Sequence, residues 1–188
     1  GFGTHPHDNM EIISIPLEGA LAHKDSMGNS AVIKKGDIQV MSAGTGIQHS
    51  EHNNSEDEEG KFLQIWVFPN QRNVTPRYDQ ISLNLADRKN KLQQILSPNA
   101  DDEGVWIHQN AWFHLADFNK GISTTYTFKS KENGLYIFNI KIGSNPFLLT
   151  REVFQDAPIF NLPNYLNIPS MQDGIGLNQL LQNYWMVI

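Results

Sequence analysis

The chain of 188 residues contains no cysteine. Disulfides, thiolate metal sites and thiol catalysis are thereby excluded, and a reducing, cytoplasmic setting is expected. Basic runs are also missing: 20 Asp and Glu outweigh 14 Lys and Arg, giving a formal charge of −6. That balance argues against nucleic acid or an anionic membrane as a direct partner. No apolar stretch approaches the roughly 18–20 residues needed to span a bilayer, and no secretory signal pattern is visible. What is present is an ordinary globular composition, 39% apolar and 18% charged, in a chain long enough to bury a substantial core. The chain opens at Gly1 and reaches its candidate chemistry at once, so further sequence is expected upstream.

Short β-type runs bounded by turn signals fill the first half. Met10–Leu17 reads as a strand, with Pro16 marking an edge or bulged position. Ala31–Lys35 leads into a tight turn at Gly36-Asp37, and Ile38–Met41 follows. The glycines in Ser42-Ala-Gly44-Thr-Gly46 predict a sharp bend that delivers His49 onto a new strand. Phe62–Phe68, rich in aromatic and branched residues, is the strongest strand. Strands this short at this frequency indicate a sandwich or barrel. The acidic run Glu56–Glu59 reads as a solvated hairpin tip. The polar stretch from Asn70 to Asp102 looks like a connector, and within it Asp87–Leu96 has the apolar spacing of a short helix. Strand-like runs resume at Val105–His108, Ala111–Leu115, Thr124–Phe128 and Leu135–Ile140 and imply a second β unit. The expected organisation is an N-terminal barrel over 1–82, a connector over 83–103 and a second barrel over 104–188. The final stretch from Pro146 is rich in Asn, Gln and Pro and shows no clear period.

The candidate chemistry lies in His5-Pro-His7 and, much further along, His49-Ser-Glu51. Both pairs have i, i+2 spacing, which on extended chain aims both side chains to one face. If the two strands face each other, three imidazoles and a carboxylate converge, a set suited to a divalent transition metal with open positions. Glu11 is a rival carboxylate, sharing the parity of His5 and His7 if the strand is regular throughout. The remaining histidines invite plain readings. His23 stands beside a turn, and His52 points away from Glu51. His108 and His114 lack His-x-His spacing, so the second barrel is expected to be metal-free. Phe62, Trp66 and Phe68 read as core packing, with lining of a cavity as the alternative.

The runs Gly1-Phe-Gly-Thr-His-Pro-His7, Leu17-Glu-Gly19, His23-Lys-Asp-Ser26, Gly36-Asp-Ile-Gln39, Met41-Ser-Ala-Gly-Thr-Gly46 and His49-Ser-Glu51 resemble the pirin family of the cupin superfamily. The resemblance covers roughly residues 1–140, is densest through the first 70 and fades after Gly143, where Gln172–Leu177 is similar to the family's last turn. It implies an all-β bicupin, two tandem antiparallel β-barrels of jelly-roll type with a short helical connector and a single metal in the N-terminal barrel. It assigns His5, His7, His49 and Glu51 as ligands, with Glu11 left as an outer-sphere or alternative carboxylate. It implies Fe(II) as the metal, with Ni, Mn, Co, Cu or Zn as alternatives. The activity it implies is that of quercetin 2,3-dioxygenase: a flavonol and O2 as substrates, carbon monoxide as a product, and Glu51 as base. The second implied reading is a non-enzymatic, iron-dependent redox sensor acting on a protein partner through the acidic loop or the C-terminal region.

Overall fold

Alternation sets the first barrel. Along Ile47–Asn53, Ile47, His49 and Glu51 are buried while Gln48 and His52, between and after them, are exposed, as in a strand with one face inward. The computed structural model describes residues 1–119, 122–129, 133–134 and 159–162. Its strands are β1 (Phe2–His7), β2 (Glu11–Glu18), β3 (Ala20–Asp25), β4 (Ser30–Lys34), β5 (Asp37–Ser42), β6 (Ile47–Asn53), β7 (Lys61–Val67), β8 (Arg77–Ser82), β9 (Gln93–Ser97), β10 (Val105–Trp106), β11 (Phe113–Leu115), β12 (Thr124–Thr127) and β13 (Ile159–Leu162). Two four-stranded antiparallel sheets form the N-terminal body, in the orders β1-β6-β3-β4 and β7-β2-β5-β8. Their inner faces meet: His7 contacts Trp66, His23 contacts Tyr78, and Ser14 donates to Glu51. Ile12, Met41, Ala43 and Ile47 close one part of this interior as an apolar cluster, with Met10 against it.

Pro16 sits where its missing N–H is harmless. β2 pairs with β5 only through Ser14, and its register with β7 shifts between Pro16 and Glu18. The predicted bend before His49 depends on Gly44, which has φ of 49°. A Cβ there would lie 2.0 Å from the Val74 carbonyl oxygen, so only glycine fits without displacing backbone.

Two sequence readings are corrected. The polar stretch after Asn70 is not all connector, because β8 pairs with β5 along its whole length. Its alternate residues Tyr78 and Gln80 are polar, so the strand carries no hydrophobic alternation to reveal it. The helix expected over Asp87–Leu96 is instead one turn of 3-10 helix, Leu85–Arg88, followed by β9. Asn90 has φ of 57°, which interrupts any helix, and Ile95 and Leu96 are buried in a strand whose Leu96 and Ser97 pair in parallel with Val105 and Trp106.

The chain divides into two compact units. The first joins Gly1–Leu85 with Gln94–Phe113, and the second joins Ala86–Gln93 with His114–Ile188. In the first, β10 lies against β5 and β8, with the Arg77 guanidinium 3.9 Å from the centre of the Trp106 ring. That cover helps to bury β5 on both faces. In the second, Arg88 Nε donates to Asp117 Oδ2 at 2.7 Å and β12 pairs antiparallel with β13. The readings of Leu135–Ile140, of the stretch from Pro146 and of Gln172–Leu177 fall outside the described residues, apart from β13. No helix among the described residues is long and apolar enough to cross a membrane.

Candidate metal centre

The centre is built around β6. In the β1–β6 ladder His5 pairs directly with His49, and His7 pairs with Ile47. In the β3–β6 ladder His23 pairs with Glu51, and Asp25 with His49. Directly paired residues point to the same face of a sheet, so three strands deliver their polar side chains to one place. The ring centroids lie 4.4 Å apart for His5 and His49, 4.9 Å for His5 and His7, and 5.1 Å for His7 and His49. One ligand atom from each of these three residues lies within 4.8 Å of the other two.

The protonation chemistry suits ligation. Burial lowers the pKa of His49 to about 3, reinforced by the neighbouring His5, His7 and His23, so the ring is neutral at pH 7. Burial, and then His5, also lowers that of His7. His5 Nδ1 donates to the Gly3 carbonyl at 2.8 Å, which leaves Nε2 with its lone pair. His7 Nε2 and both nitrogens of His49 are buried without a hydrogen-bond partner among the described residues. Buried polar atoms are nearly always paired, so several bare nitrogens facing one another mark a place where a ligand ion fits.

Glu51 is 1% exposed, and burial pushes its carboxyl pKa upward. It accepts hydrogen bonds from Gln64 Nε2 and, at 3.5 Å, from Ser14 Oγ. Gln64 Oε1 in turn accepts from the Trp66 indole at 3.2 Å, which fixes the amide's orientation. The four ligands read from the sequence fall into two groups that overlap at His49: His5, His7 and His49 in one, and Glu51 and His49 with a further histidine, His23, in the other.

Three readings need correction. His23 is a member of the site, not a bystander at a turn; it is 1% exposed and its ring centroid is 5.5 Å from that of His49. Its relation to Asp25 was the available signal, since His23-Lys-Asp25 repeats the spacing of His49-Ser-Glu51. Glu11 is not brought to the histidines. It stands three residues from the inward-facing Ser14, on the other face of β2, where Oε2 accepts from Ser42 Oγ at 2.7 Å. The strand alternation that pairs His5 with His7 does not continue into β2, because Asn9, at φ 45°, breaks the chain between them. Finally, Trp66 and Phe68 are not core residues, being 50% and 76% exposed. Trp66 stands edge-on to His7 with centroids 5.0 Å apart, forming an aromatic rim beside the half-buried histidines.

An antiparallel β-body with inward histidines on adjacent strands is the arrangement expected of a cupin, and the comparisons agree with it. The sequence profile of the pirin family matches residues 1–67, and that of the quercetinase C-terminal cupin domain matches residues 94–144. YhhW from Escherichia coli has the same fold at a TM-score of 0.70 and 33% identity, over 86% of this chain and 69% of that one. Bacterial pirin YhhW in complex with nickel(II) gives a TM-score of 0.69 at 31% identity, over 86% of this chain and 70% of that one. The chain belongs to the pirin family, and with it to the all-β bicupin class. Among curated relatives, quercetin 2,3-dioxygenase of Escherichia coli (strain K12) is 47% identical over 110 residues, 58% of this chain and 46% of the relative. A pirin-like protein of Caulobacter vibrioides is 36% identical over 138 residues, 73% of this chain and 59% of the relative. The chain spans about half the length of the curated relatives it matches.

Proposed function

We propose that this chain carries the metal centre of a dioxygenase that cleaves a flavonol such as quercetin with O2 and releases carbon monoxide. His5, His7, His49 and Glu51 would hold one divalent metal, Fe(II) being the first candidate and nickel the ion that a relative has bound. The observation that carries the reading is the set of bare, neutral imidazole nitrogens beside the exposed Trp66. A bound divalent metal supplies Lewis acidity toward a substrate hydroxyl and a centre at which dioxygen and substrate can be brought together.

The chain's own residues have separate tasks in this scheme. Glu51 receives the flavonol hydroxyl proton on its carboxylate, a role favoured by burial, which raises its proton affinity. Gln64, held by the Trp66 indole, keeps that carboxylate oriented. Trp66 offers an exposed apolar face against which a flat aromatic ring can stack. Gly3 fixes the tautomer of His5. The test is direct: metal-loaded protein under oxygen should bleach quercetin's absorbance and release carbon monoxide. Unchanged absorbance with full metal occupancy and no carbon monoxide rules out the dioxygenase.

A further inference from the structure

β3 sets a buried dyad behind the centre. His23 Nε2 donates to Asp25 Oδ2 at 3.3 Å, and both side chains are fully buried. Asp25 is itself fixed, since Oδ1 accepts from the backbone N–H groups of Met27 at 2.9 Å and Asn29 at 3.0 Å, and Oδ2 from Asn29 Nδ2 at 2.7 Å. A carboxylate held in this way dictates the tautomer: the proton sits on Nε2 and the lone pair on Nδ1. That Nδ1 is buried without a hydrogen-bond partner among the described residues, and so are both nitrogens of His49, whose ring centroid is 5.5 Å away. A neutral His49 that gives one lone pair to a metal carries its proton on the other nitrogen, and that buried N–H needs an acceptor. One nitrogen of His23, one of His49 and one carboxylate oxygen of Glu51 lie within 4.8 Å of one another. Two hydrogen bonds of about 2.8 Å that meet at one water span roughly 4.5 Å, so the three groups stand within reach of a shared water.

We propose that His23 is the positioning residue of His49, joined to it by one buried water. The water accepts from the His49 N–H and donates one hydrogen to His23 Nδ1 and the other to Glu51, so three buried groups are satisfied at once. Glu51 keeps a lone pair for the metal, because a carboxylate offers about four and Ser14 and Gln64 take one each. His49 meets the metal through a single nitrogen. The line from Asp25 through His23 fixes which nitrogen of His49 carries the proton and makes the other more basic toward a metal. The proposal rests on the reading of His5, His7, His49 and Glu51 as one metal centre, and not on the flavonol reaction.

The test is competition between protein and a chelator for Ni(II), with the histidine tautomers read by heteronuclear NMR of isotope-labelled, Zn(II)-loaded protein. In the unaltered Zn(II) form His23 should be protonated at Nε2 and bare at Nδ1, and His49 protonated at the nitrogen off the metal. His23→Leu should weaken Ni(II) binding about 10- to 100-fold. His23→Gln, whose amide oxygen can accept in place of Nδ1, should recover most of that loss, whereas a role in packing alone would favour the apolar leucine. Affinity unchanged in both variants, or a proton on His23 Nδ1 in the unaltered protein, overturns the positioning role and leaves the metal centre standing. No uptake of either ion by the unaltered protein overturns both. The NMR of that protein decides the matter even if His23→Leu fails to fold.

Discussion

The two faces of the sheet β7-β2-β5-β8 both bury charge, and they handle it differently. On the outer face Glu11 takes a hydrogen bond from Ser42, and Arg77 nearby is paired with Asp79 at 2.9 Å and bonded to the Trp106 carbonyl at 2.6 Å. Desolvation there is offset chiefly by groups already in the chain. The inner face looks onto four imidazoles and the carboxylate of Glu51, where several nitrogens have no donor to accept from. The lesson is that burial of a titratable group says little by itself. Glu11 too leaves one oxygen, Oε1, without a hydrogen-bond partner among the described residues, so the faces differ in that several bare imidazole nitrogens gather on the inner one.

The hardest test of this contrast is His49→Ala, because His49 belongs to both groups on the inner face. Loss of a direct ligand should exceed the 10- to 100-fold effect typical of outer partners, so metal content should fall to background and quercetin turnover by more than about 100-fold. Retention of stoichiometric metal would falsify the assignment of the inner face. Glu51→Gln should act next most strongly. The amide keeps the size of the side chain but loses the charge and the proton-accepting oxygen, so turnover should fall by about 10- to 100-fold with smaller loss of metal. If Glu51→Gln turns over quercetin at the original rate, Glu51 is neither ligand nor base.

Much of this centre could be read from the sequence because a strand repeats every two residues. His5-x-His7 and His49-x-Glu51 announce a shared face without knowledge of the partner strand. His23 was hidden because its membership depends on register: only the β3–β6 ladder puts it opposite Glu51. Glu11 misled for the reverse reason, since parity counted through Asn9 carries no meaning once the backbone turns there. In the fold, β2, β5 and β7 were legible from apolar and aromatic content. β8 was not, because a barrel with a polar interior gives its strands polar inward residues. β9 mimicked a helix because Leu92, Ile95 and Leu96 have helical spacing, and a strand buried at Ile95, Leu96 and Ser97 in succession shows no alternation to oppose it. Trp66 and Phe68 looked like core for want of any sign that the edge strand β7 is open on that side.

Trp66→Ala probes the rim between the two faces' chemistries. It removes the aromatic surface beside His7 and the indole N–H that orients Gln64. An aromatic contact contributes about 1 kcal/mol, equivalent to about fivefold in affinity. The KM for quercetin should rise by about that factor while metal content stays constant. An unchanged KM would mean that substrate does not lie against this rim.

The smallest effect, and the one that isolates the outer face, is expected from Glu11→Gln. Burial raises the carboxyl pKa of Glu11, more than Ser42, His108 and Arg77 lower it. A carboxyl whose folded pKa exceeds its unfolded value stabilises the fold fully only below the unfolded value. That contribution is lost as pH rises through the folded value. At neutral pH the buried charge is therefore a burden that the amide does not carry, while the amide can still accept from Ser42. Glu11→Gln should raise the urea midpoint relative to the unaltered protein at pH 7, with the difference shrinking as pH falls toward 4. Metal content and quercetin turnover should stay within about twofold, as for a surface away from the site. A loss of metal in Glu11→Gln would return Glu11 to the ligand set and erase the distinction between the two faces.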